Sequence, residues 1–242
     1  MAQDWQALHR RLMSALGSDI PPIAITFHST PPAGVRPFDD PMPAPHEVDG
    51  RTGRVSAGCV FWMKSTDRTF STVAEDHANC SVGSVTHGFK TLAEVGGNAD
   101  VAALLESGWV TMDVVPQIPV VTQQPAAVTY GPLAECSTDP DVVLCRITAR
   151  QFMVMMDALP GVRVEGKPQC HIIAIAKEQG EVAISAGCQL SRVRTGMPNS
   201  EMTLAIPTAR LASLIERIEA TAACDNAVAR YAADDMRRFA PS

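Results

Sequence analysis

Seven cysteines are spread over 242 residues, and four of them stand in a repeated frame. Cys59 and Cys170 each precede an apolar run, Val60-Phe61-Trp62-Met63 in one case and His171-Ile172-Ile173-Ala174-Ile175 in the other. A polar turn, a second β-like run and a second cysteine follow, Cys80 in the first copy and Cys188 in the second. Twenty residues separate the first pair and seventeen the second. Eight residues beyond each second cysteine stands a glycine, Gly88 or Gly196, followed by Phe89 or Met197. Four thiolates are the donor set of a tetrahedral zinc ion or of a cubane [4Fe-4S] cluster. The spacing is not that of a C-x-x-C ribbon, so a preformed fold has to assemble the ligands. Two similar halves packed about a pseudo-two-fold axis would bring residues near that axis against their counterparts, and the four sulfurs would converge. Cys136, Cys145 and Cys224 lie outside the frame and read as small core residues.

Other groups with chemical potential flank these cysteines. His77 lies three residues before Cys80, and His171 adjoins Cys170. Either histidine could replace one cysteine as ligand and leave an exchangeable position for Lewis-acid chemistry. Asp76 and His77 are the candidates for general acid/base work, with hydrogen-bonded loop residues as the plain alternative. A nucleophilic Cys80–His77 pair is a weaker reading, because it leaves the other repeated cysteines unexplained. Arg192 and Arg194 could grip a carboxylate or phosphate of a substrate; the plain alternative is solvated arginines. No dinucleotide fingerprint, P-loop or nucleophile elbow is present. Met153, Met155 and Met156 read as core packing.

Composition narrows the setting. Hydrophobic residues make up 46% of the chain and charged residues 19%, so a sizeable core is affordable. A small structural zinc typically rescues a domain with too little core, so a metal here points to function and, by preference, to a [4Fe-4S] cluster over zinc. The formal net charge of −6 argues against a nucleic-acid surface. No apolar run has the length of a membrane span. The start, Met1-Ala2-Gln3-Asp4-Trp5, lacks the pattern of a secretory signal. The expectation is a cytoplasmic protein with reduced thiols, no membrane or nucleic-acid partner and a small-molecule ligand; homo-oligomerisation stays open.

The elements that must position these groups follow from patterning. Trp5, Leu8, Leu12 and Leu16 predict a first helix ending at Gly17. Strands are expected at 23–27, 59–63, 70–73, 109–115, 118–121, 127–130, 142–146, 171–176, 181–185 and 202–206. Helices are expected within 81–90, 101–106, 148–159, 207–221 and 225–239. Residues 30–54, rich in Pro, Gly and Asp, read as a long loop that could cover a site. The predicted fold is α/β (α+β), internally duplicated, with mixed sheets and flanking helices in one compact unit. Its parts are an N-terminal helix (1–20), two half-repeats (21–125 and 126–221) and a C-terminal helix (222–242).

At Gly58-Cys59-Val60-Phe61-Trp62, Glu75-Asp76-His77-Ala78-Asn79-Cys80, and Ser185-Ala186-Gly187-Cys188 through Arg194-Thr195-Gly196, the chain resembles an uncharacterised prokaryotic family catalogued as domain of unknown function 169. The likeness runs from about Pro21 to about Ile218. It implies no established reaction. It supports a role for Cys59, Cys80 and Cys188, whereas Cys170 rests on the internal repeat. The functional expectation is an iron–sulfur enzyme of the lyase or oxidoreductase class acting on a small molecule. A non-enzymatic metal- or cofactor-binding sensor or carrier, or a zinc-stabilised structural protein, is the alternative.

Overall fold

The first helix, α1 (Trp5–Leu16), shows how local chemistry sets an element's limits. Asp4 accepts a hydrogen bond from the Ala7 N–H at 2.8 Å, satisfying one of the free N–H groups at the helix start. Gly17 closes the other end at φ 59°, a left-handed conformation costly for residues with a Cβ. The stripe Trp5, Leu8, Leu12 and Leu16 is buried as the periodicity predicts. The computed structural model describes residues 3–39, 58–166 and 168–239, together with the backbone of the short ladder Met42–Pro43 with Arg54–Val55.

Seven strands form one sheet: β1 (Ile23–His28), β2 (Phe70–Thr72), β3 (Ala127–Pro132), β4 (Val142–Thr148), β5 (Arg163–Glu165), β6 (Ala183–Ser185) and β7 (Glu201–Pro207). Their spatial order is β2-β3-β1-β4-β7-β6-β5. Every neighbouring pair is antiparallel except β5 with β6. The sheet is mixed and helices flank it on both faces, so the predicted α/β (α+β) class with mixed sheet and flanking helices holds.

Alternating side chains divide the core in two. Ala24, Val143, Cys145, Ile147, Leu204 and Ile206 face α1, α6 (Ala149–Ala158) and α9 (Thr208–Arg238). Ile23, Ile25, Val128, Tyr130, Val142 and Leu144 face the opposite layer. That layer contains α2 (Gly58–Lys64), α3 (Ser81–Thr86) and α7 (His171–Ala174), with α8 (Gln189–Thr195) packed on α2. Cys80 and Cys170 belong to this second layer, Cys59 packs against it, and Cys188 immediately precedes α8.

The sheet reads alike outward from its centre in both directions. From β1 the order is β3 then β2; from β4 it is β7 then β6, with β5 added outside. Ile23 pairs with Pro132 as Val142 pairs with Pro207. Tyr130 pairs with Phe70 as Ala205 pairs with Ala183. At the centre Ala24 faces Val143.

Several expected strands take other forms. Residues 59–63 and 171–176, both read as strands, are α2 and the helical stretch α7 with its π-helical continuation Ile175–Gln179. Both runs are apolar around most of their circumference, so their burial carries no period that separates helix from strand, and tertiary packing overrides β propensity. Residues 109–121 form turns and a 3-10 segment, Val115–Gln117, in place of two strands. The two C-terminal helices are one, α9, because 222–224 contains neither Gly nor Pro to break it. Met155 is buried as expected, but Met153 and Met156 are exposed. Within 30–54, residues 30–39 are irregular, and most of the proposed cover lies outside the described residues. Among the described residues no helix is long and apolar enough to cross a membrane.

One ion pair braces the sheet beneath the site. The Arg146 Nε donates to Glu201 Oε2 at 2.7 Å and its Nη2 donates to Oε1 at 3.0 Å, with both side chains largely buried. Removing one partner leaves a buried charge unmatched. Arg146→Ala is expected to lower unfolding free energy by roughly 3–5 kcal/mol, as read from urea denaturation. A change within error of zero would show that the pair does not stabilise the fold.

Candidate metal centre

Cys59, Cys80, Cys170 and Cys188 line one small cavity of about 20 Å³, closed further by Gln169, Ser191 and Arg194. That space holds about one water-sized group. Cys136 lies half-buried elsewhere, Cys145 is in the opposite core layer and Cys224 is exposed on α9. The exposure of Cys224 corrects the expectation that it is a core residue.

Each of the four sulfurs sits at the start of a short helix. Cys59 is the second residue of α2, and Cys80, Cys170 and Cys188 immediately precede α3, α7 and α8. Backbone N–H groups without helical partners gather there and favour negative charge. One such contact is made: Gly83 N donates to Cys80 Sγ at 3.4 Å. Among the described residues no three or more His, Cys, Asp or Glu side chains already stand in a metal-holding arrangement. Drawing the thiols onto one ion therefore takes rotation about their Cα–Cβ bonds.

Burial dominates the electrostatics. Desolvation, reinforced by the neighbouring Cys80, pushes the Cys59 thiol up to about 12. Cys80 is raised and Cys170 is raised well above the ordinary thiol range, again chiefly by desolvation. Opposing this, Ser191 hydrogen-bonds Cys59, Thr86 hydrogen-bonds Cys170, and the Arg194 guanidinium favours charge on Cys59 and Cys80. Without a cation these thiols keep their protons at neutral pH; a bound metal ion supplies the charge that displaces them.

The sequence candidates separate clearly. Arg194 is on the cavity wall and donates to the Asn79 carbonyl at 3.0 Å, tying α8 to the residue before Cys80. Arg192 braces the loop that carries Cys188: it donates to the carbonyls of Ala186 at 2.9 Å and Glu201 at 3.0 Å, and to that of Pro198. Its guanidinium fills the space a Cβ at Gly187 would need, where φ is 123°. These contacts give it a structural task. Asp76 accepts from the Val73 N–H at 2.9 Å and so supports the turn Ala74–His77. His171 lies near Glu165, 4.0 Å away, and is absent from the cavity wall.

Sequence reasoning missed four supporting residues. Asp100 holds the start of α3, accepting from the Ser81 N–H at 2.9 Å and the Ser81 hydroxyl at 2.7 Å. Gln169 Nε2 donates to Ser191 Oγ at 2.8 Å, placing the hydroxyl that meets Cys59. Thr86 completes the set. Hydroxyls and amides of this kind carry no spacing signal, so only proximity reveals them.

His77 is fully buried away from the cavity wall, among Phe61, Phe89 and His87, with its Nε2 3.1 Å from Thr72 Oγ1. Burial holds His87 down at about 4 and His77 well below the ordinary imidazole range. Unfolding lets both take protons near pH 6.5. Their contribution to stability is therefore complete above that pH and is lost as pH falls toward 4. Urea midpoints at pH 7.5, 5.5 and 4.5 are expected to decline, with His87 alone costing on the order of 3 kcal/mol by pH 4. His87→Phe is expected to flatten the decline; an unchanged slope would reject this origin.

A family model described as uncharacterised ArCR, domain of unknown function 169, matches residues 11–217. No curated protein and no solved structure matches the chain.

Proposed function

The chain belongs to the family catalogued as domain of unknown function 169, and within it we propose a cytoplasmic metalloprotein whose Cys59, Cys80, Cys170 and Cys188 thiolates hold one inorganic centre, by first preference a [4Fe-4S] cluster. One observation carries the reading: the four cysteines of the repeated frame line a single cavity, while the other three lie elsewhere. The donor set fits, because soft thiolates select iron–sulfur clusters and zinc. Four helix starts and Arg194 offset part of the negative charge that ligation gathers.

We also infer internal duplication. Aligning Pro21-Pro22 with Pro140-Asp141 makes Ala24 the counterpart of Val143, and those two residues face each other across the β1–β4 ladder. A two-fold axis through that pair also relates the outer strand registers, and it relates α2 to α7 and α3 to α8 in chain order. In this reading each half contributes two thiolates.

A [4Fe-4S] cluster would supply one-electron transfer. Ligation by all four cysteines leaves no open iron, so an oxidoreductase or redox-sensing role fits better than a lyase. Cys59, Cys80, Cys170 and Cys188 would bind, Ser191 and Thr86 would hydrogen-bond the sulfurs, and Arg194 would hold charge beside them. Zinc is the second reading, favoured by the cavity of about 20 Å³, which suits one ion more readily than a cubane. Anaerobic purification with iron, sulfide and zinc analysis decides: four irons and four sulfides per chain support the cluster, one zinc supports the alternative, and neither overturns the centre.

A further inference from the structure

Beside the cysteine cavity lies a second and larger one, of about 340 Å³, enclosed by α3, α4 (Leu92–Val95), α5 (Ala99–Glu106) and the segment that follows. Its wall is aliphatic, with Val85, Val95, Val101, Leu104, Leu105 and Ile118 prominent. Ser81 is the polar side chain among the described lining residues, and its hydroxyl is engaged: it donates to Asp100 and accepts from Asn98 at 2.8 Å. Val82 and Pro168 line both cavities, so a thin partition separates this space from the thiols.

The helix covering the cavity is unusual. α5 is mostly aliphatic, yet none of its residues is buried. Val101, Leu104 and Leu105 stay half-buried over space that the described residues leave open, which forgoes about 25 cal/mol per Å² of apolar surface. An occupant of matching chemistry would recover that term. Size limits the occupant: a three-turn helix about 10 Å across fills on the order of 1,000 Å³, whereas 340 Å³ falls in the range of small-molecule pockets. Chemistry limits it further, because among the described residues no free polar or charged side chain on the wall would compensate a buried ion.

We propose that this cavity binds a small, uncharged, hydrocarbon-bodied molecule whose inner end rests on Val82 and Pro168 beside the thiolate centre. The proposal rests on the thiolate centre only for what the inner end adjoins. Binding makes and breaks no bond.

The test uses the full chain and the uncharged fluorescent probe N-phenyl-1-naphthylamine, with cobalt(II) as a spectroscopic stand-in at the thiols. The expected result is saturable fluorescence enhancement with one site per chain. Val101→Trp, which fills the space, and Leu105→Asp, which charges it, are each expected to weaken binding by about tenfold or more. Ala93→Trp at the exposed rim serves if either variant fails to fold, and Val228→Trp, exposed on α9, should bind as the parent does. Probe binding is also expected to shift the sulfur-to-cobalt charge-transfer bands. Absence of saturable binding, or equal binding by the filled and charged variants, overturns the pocket. Probe binding with unmoved cobalt bands overturns its adjacency to the centre. Cobalt uptake is measured separately, so failure of the thiolate site is distinguished from failure of the pocket.

Discussion

Cys80→Ser and Cys188→Ser, each purified anaerobically, are expected to retain less than about a tenth of the parent's metal, whereas Cys145→Ser retains all of it. Four ligands drawn from four separate helix starts have no local chelate to fall back on. Loss of one leaves a hard hydroxyl where a soft thiolate is needed, and even outer-shell changes cost 10–100-fold in metal affinity. The substitution itself is small. Cys80 already accepts a hydrogen bond from Gly83, a role a serine oxygen can share. Folding is therefore expected to survive, at a cost of about 1–2 kcal/mol read from apo-protein urea curves. Metal content equal to the parent's in either variant would remove these residues from the ligand set. If one variant unfolds, the Cys59→Ser/Cys170→Ser pair tests the same claim from the other side of the cavity.

The second large effect is on pH. Cys59, Cys80 and Cys170 hold their protons more tightly than a free thiol does, so metal entry must expel them. Affinity then rises with pH, by about tenfold per unit for each proton released. These three protons set a slope of at least about three in a plot of log affinity against pH, between pH 6 and 8. Cobalt(II) competition with a chelator of known affinity at each pH measures it, after correction for the chelator's own protonation. Proton release in weakly buffered solution is an independent count. A flat profile would mean that these buried thiols are not what the metal meets. A site already charged at neutral pH would instead stay flat between pH 6 and 8 and lose affinity only where its ligands begin to protonate in acid.

The chemistry of the candidate centre left its mark in the sequence because cysteine is scarce and its placement was repeated. Cys59, Cys80, Cys170 and Cys188 share a frame of apolar run, turn and glycine, and that frame could be read without coordinates. The α1 stripe, the central strands β1, β4 and β7, and the capped helix α6 were equally legible. Their periods, caps and turn residues are local properties.

Other features depended on what surrounds each segment. Residues 59–63 and 171–176 are buried nearly all round, so hydrophobicity has no exposed face against which to show a helical or alternating period. The assignment of His77 and Asp76 to chemistry failed to anticipate their surroundings, since sequence adjacency to Cys80 says nothing about which way a side chain turns. The imidazole went into an aromatic cluster and the carboxylate to a backbone N–H. Gln169 and Ser191 stand close to Cys170 and Cys188 in the chain, and Thr86 and Asp100 farther from Cys80, but their side-chain types form no spacing pattern that marks them as part of a site.

Type and spacing, written in the chain itself, determined which four sulfurs were worth watching and the strands that frame them. Only the packed structure decided that those sulfurs share one cavity, that the nearby histidines do not, and that an apolar chamber adjoins them. The reason is physical: propensity and period act over a few residues, whereas proximity across the sheet is set by burial summed over the whole core.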